Sequence, residues 1–133
     1  MKSDPLSSKK RTLEGRAARN RTLAVYPRPD EARYLIAGDL NDSPISGAVR
    51  AFLRKGERDL SLPLESSDDL GFRWTHYYRK ENSYSRIDYI LRSPGCEDVL
   101  NGIKGHIDRR PHYYHGSDHR FVWVDLRAGQ ATD

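Results

Sequence analysis

The sequence predicts an α/β domain, and three observations carry that reading. Strong helix formers fill residues 8–24. Short segments rich in β-branched and aromatic residues begin at Arg33, Arg86 and Arg120. A dense group of turn residues after the first of these leads straight into a second helix.

The first helix is expected from Ser8 to Ala24, where Arg, Ala, Leu, Lys and Glu predominate. Leu13, Ala17 and Ala24 give it a thin apolar stripe, Gly15 weakens it, and Pro27 and Pro29 end it. Arg33 to Gly38 is a short apolar run that reads as a buried strand. It stops at Asp39 to Pro44, a cluster of turn formers, and Ser46 then caps a helix running through Val49, Phe52 and Leu53 to Gly56. Arg58 to Leu70 is polar and reads as loop. Arg73 to Arg79, with Trp74, Thr75, Tyr77 and Tyr78, reads as a strand, followed by a turn over Glu81 to Ser85. Arg86 to Arg92 is a clear strand with Ile87, Tyr89 and Leu91 on one face and Asp88 and Ile90 on the other. Ser93 to Gly95 breaks it. A weaker strand is expected over Gly102 to Ile107, then a loop rich in His, Tyr and Arg. The last strand, Arg120 to Leu126, alternates Val122, Val124 and Leu126 against Phe121 and Trp123, and residues 127–133 form a frayed tail. There is no internal repeat.

At 133 residues the chain fits one domain, but its composition is lean for a core. Hydrophobic residues make up 36% and charged residues 32%, which implies a small core or a sheet face meant to be covered by something else. The net charge is +4. Lys9, Lys10, Arg11, Arg16, Arg19 and Arg21 cluster early, and Arg109, Arg110, His112 and His115 gather late. Such surface suits an anionic partner, although a charge run is as readily a solvated face. The single cysteine, Cys96, excludes an internal disulfide and a cysteine-rich zinc site. His106, His112 and His115 match no standard zinc spacing. With no apolar stretch long enough to span a membrane and no signal-like N-terminus, the chain as written is expected to be cytoplasmic.

Polar groups stand at strand ends where packing alone would not put them. Asp39 and Asn41 follow the first strong strand, Asp88 interrupts an apolar one, and Asp118 and His119 precede the last. Taken singly, each is an ordinary turn former or exposed strand residue. Taken together, they supply what phosphodiester hydrolysis requires: carboxylate and amide oxygens for a hard divalent cation, and a histidine paired with a carboxylate for proton transfer or charge stabilisation. Trp74, Tyr77, Tyr78 and Tyr84 lie among Arg73, Arg79, Lys80 and Arg86, a mixture that can grip nucleic acid by stacking and charge, although strand aromatics more often belong to a core.

Gly38 to Asn41, Arg86 to Ile90 and Ser117 to His119 resemble, in that order, the three C-terminal motifs of the endonuclease/exonuclease/phosphatase superfamily, with the aromatic strand Trp74 to Tyr78 ahead of the second. The resemblance implies a metal-dependent phosphodiester or phosphomonoester hydrolase using Mg2+ or Mn2+. It also implies roles. Asp39 would orient or deprotonate the attacking water, and Asn41 would hold a phosphate oxygen. Asp118 would help to bind the metal or position the site. His119 would contact the scissile phosphate with Asp88 hydrogen-bonded to it. Trp74, Tyr77 and His115 are candidate substrate contacts beside Asn41, and nucleic acid is among the candidate substrates. Members of that superfamily fold as a four-layer α/β sandwich of two similar halves. The first half supplies an Asn, the Glu that is the chief magnesium ligand, and usually a catalytic His. None of these is found in this chain, so residues 1–126 are expected to be the C-terminal half of such a domain: a mostly antiparallel sheet with helices on one face. An apolar sheet face would then be left open, favouring marginal stability, self-association or pairing with a missing N-terminal half. The competing expectation is a non-catalytic truncated remnant or interaction module that needs a partner half.

Overall fold

In the computed structural model, which describes residues 4–110 and 115–127, the early helix-forming run folds as α1, Pro5–Val25. Its start has a local cause. The Asp4 carboxylate accepts the backbone N–H of Leu6, and Pro5 occupies the first turn, where its missing N–H costs nothing. The second helix, α2, spans Gly47–Leu53 and begins as expected, with the Ser46 hydroxyl accepting from Val49 N at 3.2 Å. It stops at Leu53 rather than Gly56. Arg54–Lys55 (β2) and Arg58–Asp59 (β3) instead form a tight hairpin whose turn uses Gly56 at φ 61°. Helices α1 and α2 pack on each other through Gly15. A Cβ there would stand 2.8 Å from the carbonyl oxygen of Ala48, so the residue that weakens the helix also permits the close approach.

Two three-stranded sheets follow. The first has the order β1 (Leu35–Asp39), β8 (Asp88–Arg92), β4 (Leu62–Pro63), all antiparallel, once β5 (Ser66–Ser67) and the hairpin of β6 (His76–Tyr78) and β7 (Ser83–Ser85) are counted in chain order. Its register places Leu35 opposite Arg92 and Asp39 opposite Asp88. A short helix α3, Glu97–Leu100, leads to the second sheet, in which β9 (Gly105–Ile107) pairs antiparallel with β10 (Val122–Trp123) and parallel with β5. The segment from Leu62 to Ser67 thus passes from one sheet to the other, with Leu64 N bonded to Ile90 O and Gly105 N bonded to Glu65 O, both at 2.8 Å. The core joins α2 to the first sheet: Val49, Tyr89 and Leu91 are buried, with Ile36, Leu40, Phe52 and Leu53 against them.

Several sequence expectations change. The strand read as buried, Arg33 to Gly38, becomes the edge strand β1, and Leu35, Ala37 and Gly38 are exposed. Its apolar run reflects one covered face, where Ile36 meets the core, rather than two. The stretch Arg58 to Leu70, read as loop, holds β3, β4 and β5 and buries Leu60 and Leu64. The strand expected from Arg73 to Arg79 is confined to β6 and passes into a 3-10 turn at Arg79–Glu81. Part of the expected turn is strand β7. The weak strand from Gly102 shortens to β9 and the last strand to β10, leaving Phe121 and Leu126 exposed. The faces of the Asp88 strand are as expected, with Tyr89 and Leu91 in the core and Asp88 opposite. Cys96 is buried beside Ser93 and the Tyr34 carbonyl. Residues 128–133, most of the expected tail, lie outside the described residues.

Candidate active site

The turn after β1 is held by its own side chains. The Asp39 carboxylate accepts the Asn41 N–H at 2.7 Å, and Asn41 adopts the left-handed conformation at φ 52°, which asparagine tolerates better than most residues. Two further anchors fix the loop. The Asp42 carboxylate takes a 3.0 Å bond from Arg11 of α1, and the Tyr89 hydroxyl shares its one proton between the carbonyls of Asp42 and Arg86, each at 2.8 Å. Burial pushes the Tyr89 hydroxyl up to about 12, so it remains a neutral donor. Arg11 belongs to the basic cluster of the sequence, yet its side chain is nearly buried in this ion pair rather than solvated.

Asp88, the first residue of β8, sits directly across from Asp39, the last of β1. Its N–H and that of Ile87 both point to the Thr75 hydroxyl, at 3.2 and 3.1 Å. Thr75 is buried, receives the Arg120 N–H on its carbonyl at 2.7 Å, and therefore ties the Asp88 strand to the segment carrying Asp118 and His119. That segment runs beside β6: His76 and His119 form an antiparallel bridge, and Tyr77 N donates to Asp118 O. The Ser117 hydroxyl accepts the His119 N–H at 3.0 Å and sets the turn.

These constraints bring three of the five predicted chemical residues, Asp39, Asp88 and Asp118, around the imidazole of a fourth, His119. His119 Nδ1 lies 2.8 Å from Asp88 Oδ2. A carboxylate only accepts, so Nδ1 carries the proton. Nε2 then faces outward, 3.9 Å from Asp39 and 3.8 Å from Asp118. Burial of His119 is the largest influence on its pKa and opposes charge. The Asp88 hydrogen bond and the charges of Asp88, Asp39 and Asp118 together outweigh it, and the pKa is raised. Asn41 joins the group through its backbone bond to Asp39. A sixth member, His76, was not singled out in the sequence. Its Nε2 lies 3.1 Å from Asp118 Oδ2, which holds the Asp118 carboxyl below the ordinary aspartate range, and its ring lies 4.7 Å from that of His119.

Two sets of donor atoms, Asp39–Asp88–His119 and His76–Asp118–His119, each lie within 4.8 Å of one another. The first set offers two carboxylates and the second one, hard oxygen donors of the kind divalent cations such as Mg2+ and Mn2+ prefer, each beside imidazole nitrogen, so either set could hold a divalent cation. An open cleft of about 790 Å³ adjoins them, with Ala37, Ile90 and Phe121 contributing apolar wall and Asp88, Ser117 and His119 polar wall.

The remaining candidates do not line that cleft. Trp74 is half-buried, with the Arg120 guanidinium 3.7 Å above its ring and the edge of Tyr84 beside it. Tyr77 packs on Tyr84 and donates to Asn82 at 2.7 Å. His115 is exposed in the turn before Ser117. His112, Tyr113 and Tyr114, read as part of a loop beside the site, lie outside the described residues.

Arg120 and Asp68 were also missed. Their side chains are 1% exposed each and pair at 2.9 Å, while Arg120 donates two further bonds to the Trp74 carbonyl. A turn signal existed for Asp68, whose second carboxylate oxygen accepts from Leu70 and Phe72, in the run Asp68 to Gly71. Nothing local marks Arg120 as buried.

The motif order and this geometry agree with a comparison against protein-family models. The endonuclease/exonuclease/phosphatase family model matches residues 3–119, a span that includes every member of the cluster. The chain belongs to that family, whose members generally hydrolyse phosphoester bonds and typically depend on a divalent metal. No curated protein and no solved structure matches the chain. Among the described residues no helix is long and apolar enough to cross a membrane.

Proposed function

We propose that this chain contributes the proton-transfer and phosphate-holding side of a Mg2+- or Mn2+-dependent phosphodiester or phosphomonoester hydrolase. The observation that carries the reading is the orientation of His119. With Nδ1 committed to Asp88, Nε2 is presented toward Asp39 and Asp118 at the edge of the cleft. In this reading Asp39 orients or deprotonates the attacking water. Asn41 holds a phosphate oxygen, and His119, kept protonated by Asp88, faces the scissile phosphate. Asp118 is the metal ligand of this half. A bound divalent cation would supply charge stabilisation of the phosphate oxygens. Trp74, Tyr77 and His115 do not line the cleft, and in this reading they would meet an extended substrate such as a nucleic acid.

The fold reading that accompanies this is half of a four-layer sandwich, residues 1–126, lacking the principal metal ligand. It is supported by the exposed apolar side chains Leu35, Phe121 and Leu126, at 36%, 64% and 54%. The same observation favours the second reading, a non-catalytic remnant that needs a partner half.

Hydrolysis of bis-p-nitrophenyl phosphate and nicking of supercoiled plasmid, each with Mg2+ or with EDTA, separate the two. We expect metal-dependent turnover by the unaltered chain, reduced about 10²- to 10⁴-fold in His119→Ala. An inert unaltered chain, or a variant of equal activity, rules out the enzyme reading of this chain.

A further inference from the structure

The geometry points to His76 as a positioning residue that aims the Asp118 carboxylate into the cluster. This rests on the proposed assignment of Asp118 as a metal ligand. Asp118 has a side chain 67% exposed on a turn and, left alone, would sample several rotamers. His76 is its opposite: 13% exposed, on strand β6, with its ring between those of Tyr78 and His119 at 6.5 and 4.7 Å. The backbone bridge between His76 and His119 and the bond from Tyr77 N to Asp118 O hold the two segments in register. The fixed ring places Nε2 3.1 Å from Asp118 Oδ2. A carboxylate cannot donate, so Nε2 is the donor and uses one oxygen of Asp118. The other oxygen, Oδ1, is left turned toward His119 Nε2 at 3.8 Å, within the space that Asp39 also faces. Hydrogen bonds of this kind fix the orientation of a ligating carboxylate, and their loss typically weakens metal binding by about 10- to 100-fold.

Two substitutions separate the hydrogen bond from the ring. His76→Phe keeps a flat ring between Tyr78 and His119 but has no donor. His76→Gln keeps an N–H at comparable reach but loses the ring. Mn2+ binding to the intact chain is read by electron paramagnetic resonance of the free ion, with thermal unfolding recorded for each variant and Asp118→Asn as the control. We expect His76→Phe to raise the Mn2+ dissociation constant about tenfold or more and His76→Gln to stay within about threefold of the unaltered chain. Unchanged affinity in His76→Phe overturns the inference, and so does equal weakening in both variants, which would make the ring's packing the cause. An unaltered chain that binds no Mn2+, or an Asp118→Asn chain that binds it as well as the unaltered one, overturns the assignment of Asp118 and this inference with it.

Discussion

Arg120, the residue after the histidine around which the site is built, is buried together with Asp68, 2.9 Å away. Each side chain is satisfied several times over, Arg120 by the Trp74 carbonyl and ring and Asp68 by two backbone N–H groups. Removing one partner leaves a buried charge alone. Asp68→Ala should therefore destabilise the chain by about 3–5 kcal/mol in chemical denaturation, enough to unfold it if its margin is small, whereas the paired replacement Asp68→Leu with Arg120→Met should cost much less. A single variant within about 1 kcal/mol of the original would show that the pair is not structural.

The same pair predicts a direction for acid sensitivity. Burial alone would raise the Asp68 pKa. The hydrogen bonds from Arg120, Phe72 and Leu70 and the Arg120 charge outweigh it, and the pKa is lowered. A carboxylate depressed in the folded state contributes stability that is present above its unfolded pKa, about 4, and is lost as the pH falls through that value toward the folded one. Urea midpoints measured from pH 7 down to pH 3 should fall below about pH 4–5, and Asp68→Asn should flatten that fall. A variant with the same acid limb as the original would place the acid sensitivity in other groups.

Gly15 sets two opposing effects against each other. Alanine would favour helix α1 by about 1 kcal/mol. Its Cβ, however, would meet the Ala48 carbonyl oxygen at 2.8 Å, a backbone atom that moves only if α2 moves. Overpacking of this type costs about 1–3 kcal/mol, so Gly15→Ala should be net destabilising in thermal unfolding. Stabilisation would show that the helices separate at little cost.

The exposed apolar side chains give a test of the half-sandwich reading that is independent of catalysis. Leu35→Lys with Phe121→Glu should reduce binding of a hydrophobic dye and shift sedimentation toward the monomer, leaving the melting temperature within a few degrees because neither side chain is buried. A strictly monomeric original chain with no dye binding would argue against an uncovered face.

How far the sequence could be read depended on whether the cause was local. The Ser46 cap, the turn at Asp39 to Pro44 and the alternation around Asp88 are written in adjacent residues, and all three appear in the structure. Leu60, Leu62 and Leu64 also alternate with polar residues or proline, but β3, β4 and β5 are two residues each, and β4 and β5 are held by distant ladder bonds. Serines and Pro63 hid the period. The exposure of β1 could not be read at all, because an apolar run does not say whether both faces will be covered. At the site, Asp39, Asp88, Asp118 and His119 were legible as motif residues. His76, Thr75, Arg120 and Asp68 were not, because what makes them matter is a partner more than ten residues away in each case.

The register that sets Asp39 against Asp88 has a practical consequence. Two like charges at opposed positions on neighbouring strands weaken the pairing they belong to. Any cation that settles between them is therefore coupled to the unfolding equilibrium, and at a concentration 100 times its dissociation constant it would add about 2.7 kcal/mol to the native state. The melting curve of this chain is thus itself a sensor of site occupancy, and a panel of divalent ions and phosphate esters can be ranked by it before any substrate is in hand.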